Sequence, residues 1–79
     1  MINNNYRKEI LSAAVDARVR EITEYQVNID NFRLAINKIG NDQDLQEFKR
    51  QLEELLSSSL LEQAKARIMF EVIQSQLEE

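Results

Sequence analysis

Apolar residues in the first half of the chain recur at alternating spacings of three and four: Ile22, Tyr25, Ile29, Phe32, Ile36 and Ile39. That spacing is the a/d seam of a heptad, a narrow stripe that keeps one face of a helix turned toward a partner helix. Upstream the seam is expected to run through Leu11, Val15 and Val19. Two successive spacings of four there form a stutter, which locally unwinds a left-handed supercoil. No glycine or proline interrupts residues 5–39, and Asn3, Asn4 and Asn5 offer side-chain oxygens suited to a helix N-cap. The pattern therefore predicts one helix over about residues 5–39, roughly 50 Å long at 1.5 Å per residue. A rod of that kind cannot bury its stripe alone.

The seam stops at Ile39 and is followed by Gly40, the only glycine in a proline-free chain. A glycine there can take the left-handed conformation that ends a helix. Asn41, Asp42 and Asp44 can then cap a second helix, and Asp44 with Glu47 has capping-box spacing. The second seam is expected to begin with Leu45, Phe48 and Leu52. After one stutter it runs through Leu56, Ser59, Gln63, Ala66, Phe70, Ile73 and Leu77. A short corner turns this second helix, about residues 43–77, back antiparallel to the first. Folding the two seams about the corner sets Ile39 by Leu45, Ile36 by Phe48, Phe32 by Leu52, Val19 by Ala66, Val15 by Phe70 and Leu11 by Ile73. The same register brings Lys38 near Glu47 and Arg7 near Glu78 as rim ion pairs. The fold class is thus all-α: a single domain, 1–79, made of an antiparallel hairpin of two long helices.

Two stretches of the second helix complicate a plain hairpin. Ser57, Ser58 and Ser59 are weak helix formers in a row, and Ser59 with Glu62 has capping-box spacing before an apolar run. A break there would give a three-helix bundle instead. Further on, Leu60, Leu61, Ala64, Ile68 and Val72 form a second apolar stripe nearly opposite the seam, and Val27 and Leu34 add a fainter one on the first helix. A helix that is apolar on both sides is normally buried on both sides. The expected partner is a second copy, two hairpins making a four-helix bundle, or a different protein. Inside the seam, Tyr25, Ser59 and Gln63 fall at one level, a polar layer of the kind that fixes register and partner number.

Composition narrows the chemistry. The 79 residues hold no cysteine and no histidine, so disulfides, thiolate sites and imidazole ligands are absent. Asp42 and Asp44 fall far short of a calcium loop, and Glu53 with Glu54 and Glu78 with Glu79 face different sides of a helix. The serine triplet lacks the context of a nucleophile, and one glycine cannot make a phosphate loop. No catalytic residue, cofactor or metal is expected, and the chain is read as a non-enzyme.

The net charge of −4 is uneven, +1 over residues 1–40 and −5 over residues 41–79. An acidic balance disfavours nucleic acid as the main partner. The alternative reading, a nucleic-acid-binding accessory protein, would use Arg7, Lys8, Arg18, Arg20, Lys65 and Arg67 at the open end of the hairpin. With no signal-peptide core and no apolar run of membrane length, the default expectation is cytoplasmic and off the membrane.

The layout of two helices about a central corner resembles the needle subunits of type III secretion systems. Their proline-bracketed loop is replaced here by Gly40, Asn41, Asp42 and Gln43, and the resemblance is one of architecture only. Small cysteine-free helical hairpins also occur among phage-encoded accessory proteins, which makes that a candidate setting. The function expected from sequence is protein–protein interaction, as an assembly factor, structural component or inhibitor of a larger protein.

Overall fold

A computed structural model describes residues 4–79; Asn3, named above as a possible cap, lies outside the described residues. Helix α1 spans Asn4–Ile39, a short 3-10 turn covers Gln43–Leu45, and helix α2 spans Gln46–Leu77. The two long helices pack against each other as an antiparallel hairpin, a rod of 65 × 16 × 14 Å. Helix α2 runs through Ser57, Ser58 and Ser59 without a break. The three-helix arrangement is therefore not the one adopted, because packing of Ser59 into the seam outweighs the weak helix propensity of the triplet.

The covered residues follow the heptad more strictly than the apolar residues do. On α1 the sheltered row is Leu11, Val15, Arg18, Ile22, Tyr25, Ile29, Phe32, Ile36 and Ile39. On α2 it is Lys49, Leu52, Leu56, Ser59, Gln63, Ala66, Phe70, Ile73 and Leu77. Both rows keep spacings of three and four throughout, so neither expected stutter is present. Where the apolar residue stands one position out of phase, it is left outside. Val19 is 46% exposed and Phe48 50% exposed, while the neighbouring cations Arg18 and Lys49 take the seam positions. The physical reason is that a long cation can lay its methylene stem along the seam and keep its head in water. A stutter would instead locally unwind the supercoil. Leu45, in the 3-10 turn, is likewise exposed.

The corner is held mainly by backbone groups and by side chains reaching from α2. Gly40 has φ +53°, the only positive value among the described residues, and its N–H donates to the Ile36 carbonyl at 3.2 Å. That bond closes the left-handed end of α1. The Gly40 carbonyl accepts from Gln46 Nε2 at 3.2 Å and from Lys49 Nζ at 3.1 Å. Gln46 Nε2 also donates to the Asp42 carbonyl at 2.8 Å. The cap of the 3-10 turn is Asp42, whose carboxylate accepts from the Asp44 N–H at 3.0 Å. The expected capping box of Asp44 with Glu47 is not formed, because α2 starts one turn later and Glu47 is engaged by Arg50.

Little of the chain is enclosed. Among the described residues only Ile29, Ile39, Leu52, Ala66 and Gln63 are buried, and Ile29, at 1% exposure, is the one fully enclosed large side chain. The accessible surface is 6182 Å² for 9.3 kDa, against about 5000 Å² for a compact monomer of that mass. The radius of gyration of 18.1 Å likewise exceeds the roughly 12 Å of a compact domain of this length. A single seam between two rods leaves the outer half of each helix in water.

Candidate interaction surface

Among the described residues, the seam carries one buried polar group. Gln63 is 7% exposed, and its Nε2 donates to Gln26 Oε1 at 2.9 Å and to the Ile22 carbonyl at 3.2 Å. These bonds fix the level of the two helices, since they tie α2 to the Ile22 turn of α1. Tyr25 and Ser59 are half-buried, and neither side chain makes a hydrogen bond among the described residues. Gln26 is the residue that sequence reasoning missed: it lies one place past Tyr25, outside the strict a/d row, and only the three-dimensional level shows it meeting Gln63.

On the outer side of α2, Leu60, Leu61, Ala64, Ile68 and Val72 are all exposed, Ile68 by 59%. On α1, Val27 and Leu34 are exposed too, Leu34 by 61%. Leu61 and Ile68 are seven apart, as are Val27 and Leu34, so each pair lies on one line along its helix, directly away from the seam. Leu55, Phe48 and Met69 add a second exposed row along one flank of α2, at heptad spacing from Phe48 to Leu55. Sequence reasoning placed Phe48 inside the seam and did not single out Leu55 or Met69. The signal that separates them is the unbroken three-four register, which puts all three beside the seam.

The expected rim pairs are replaced by shorter-range ones. Arg7 donates to Gln76 Oε1 at 2.7 Å instead of pairing with Glu78. Glu47 pairs with Arg50 in its own helix instead of with Lys38, because a partner one turn away costs less ordering than one across the corner. Arg50 also reaches Glu54. The Arg50 guanidinium, hydrogen-bonded to Glu47, holds that carboxyl below the usual glutamate range, and Arg50 is correspondingly held in its charged form. Of the basic residues at the open end, Arg18 pairs with Glu21, Arg20 with Glu24 and Lys65 with Glu62.

No family model, curated protein or solved structure matches the chain. Among the described residues, no group of three or more carboxylates is placed to hold a metal ion. The surface depressions are shallow. One is lined by Thr23, Glu24, Val27 and Asn28 of α1 alone, another by Arg7, Lys8, Leu11, Gln76 and Glu79 at the open end. In the first, the Thr23 hydroxyl donates to the Val19 carbonyl at 2.8 Å, and no helix among the described residues is long and apolar enough to cross a membrane.

Proposed function

We propose that the chain is a non-enzymatic protein–protein interaction module, a helical hairpin that covers its outer apolar stripe by self-association or by docking on a larger protein. The observation that supports this most is the exposure of Leu61, Ile68 and Val72 on the side of α2 turned away from the seam. Apolar surface arranged in a continuous line is stabilised by leaving water, at roughly 25 cal/mol per Å². Within the hairpin this line has nothing to pack on. The excess of accessible surface over a compact monomer points the same way.

In that role the protein acts as an assembly factor, structural component or inhibitor. Gln63 and Gln26 tie α2 to α1 on the seam side, which leaves the opposite side of α2 as the working face. Sedimentation equilibrium at micromolar concentration tests the reading: it predicts a mass above that of one chain, or a complex with a partner recovered from the host. A well-folded monomer that binds nothing from the host would refute it.

A further inference from the structure

The spacing of the outer stripe has a symmetry of its own. Leu61, Ala64, Ile68, Val72 and Ser75 follow one another at intervals of three, four, four and three, so the row reads the same in both directions about Ile68. We propose that the occupant of this stripe is a second copy of the chain, with α2 packed antiparallel on its symmetry mate and the twofold axis passing Ile68. The proposal rests on the interaction-module reading above and commits it to one partner and one register.

Three observations support it. First, antiparallel pairing about Ile68 sets Leu61 against Ser75 of the second copy and Ala64 against Val72. Both of these layers match a large side chain with a small one, as interdigitated packing requires, and Ile68 meets its own copy at the axis. Ser75 enters such a contact without an unmet donor, because its hydroxyl already donates to the Val72 carbonyl at 2.8 Å.

Second, the charges on one edge of the stripe complement each other. Arg67 and Glu71 are exposed, and neither forms an ion pair within the hairpin among the described residues. Arginine four residues before glutamate is the weaker order within one helix. In the antiparallel dimer, Arg67 of each copy falls beside Glu71 of the other, on the same edge, and the twofold axis makes the pair twice. A self-complementary patch of this kind is what a closed dimer needs.

Third, the accessible surface exceeds that of a compact monomer by more than the roughly 800 Å² per partner that a stable interface buries.

The test is sedimentation equilibrium of the whole chain and four variants, with circular dichroism to follow folding. The wild type is expected to be a dimer at micromolar concentration. Ile68→Glu places two carboxylates at the axis and is expected to give monomer. Arg67→Glu sets like charges together twice and is expected to weaken the dimer roughly tenfold. The double variant R67E/E71R restores opposite charges and is expected to recover affinity to within about threefold of the wild type. That rescue also answers the case in which Ile68→Glu fails to fold. Leu55→Glu, on the flank, is expected to leave the dimer intact.

A monomeric wild type overturns the proposal and, with it, the self-association arm of the module reading. A dimer insensitive to both Ile68→Glu and Arg67→Glu, or one broken by Leu55→Glu alone, overturns this interface and leaves the module reading standing.

Discussion

The buried side-chain amide of Gln63 donates to Gln26 Oε1 at 2.9 Å, joining the two helices across a seam that is otherwise mostly apolar. Its second bond, to the Ile22 carbonyl, gives the pair a fixed level along α1. Removing one partner is predicted to cost more than removing both. Gln26→Leu leaves the Gln63 amide buried with one acceptor and is expected to destabilise the hairpin by about 1–2 kcal/mol. Replacing both glutamines with leucine removes the desolvated polar group altogether and should return most or all of that stability. A double-mutant cycle in urea measures this, and a double variant less stable than Gln26→Leu would refute it.

The seam assignments at Arg18 and Val19 make a second prediction. Val19 is outside the covered row, so Val19→Ser is expected to change stability by less than about 0.5 kcal/mol. Ile29, fully enclosed, is expected to lose about 2–5 kcal/mol on truncation to alanine. Arg18→Leu should stabilise by about 1 kcal/mol, since it puts an apolar side chain where the seam already has covered space. Urea midpoints of the three variants give the ranking, and a Val19→Ser loss close to that of Ile29→Ala would restore Val19 to the seam.

These two sites also mark what was legible in the chain and what was not. The helices, the corner at Gly40 and the level of the two arms follow from periodicity and from one glycine, because those signals act through backbone geometry. The two stutters were misread for a physical reason. Hydrophobicity alone ranks Val19 above Arg18 and Phe48 above Lys49, but a rigid helix pair ranks positions by angle, and the cations can span the seam with their methylene stems. Lys49 then finds the Gly40 carbonyl, a bond between residues nine apart whose geometry no local pattern encodes. Gln26 was missed because a glutamine one place off the row looks like surface until its partner on the other helix is known. The outer stripe was legible as a line of apolar residues, since it needs only the pitch of α2.

At the corner, Gly40→Ala is predicted to cost about 1 kcal/mol. A Cβ there would meet only the Asn37 carbonyl, at an ordinary 3.8 Å, so the penalty comes from φ +53° and not from crowding. Gly40→Asn, which tolerates the left-handed region, should cost less than Gly40→Ala. Thermal denaturation of the two variants checks the order.

The Glu47 and Arg50 pair predicts a pH effect whose sign follows from the lowered carboxyl. Because the folded state holds Glu47 below the usual glutamate range, the pair stabilises the hairpin above that range and loses its effect as pH falls through the folded value. Both groups are open to water, so salt screens the pair. NMR titration should find the Glu47 midpoint rising in Arg50→Gln and rising in the wild type at high salt. A midpoint unmoved by either change would mean that the pair is not formed in solution.

Folding and association are predicted to be linked. In the dimer proposed above, the outer stripe adds stability to a hairpin that encloses few side chains, so the melting point should depend on protein concentration. For a dimer, a hundredfold rise in concentration supplies about 2.7 kcal/mol. Shared between two chains of this size, that corresponds to an upward shift of roughly 5–10 °C. Ile68→Glu should lower the melting point and abolish its concentration dependence, whereas Gly40→Ala should lower it and leave the dependence intact. Circular dichroism at two concentrations distinguishes the cases. A wild-type melting point independent of concentration would mean that the seam alone sustains the fold.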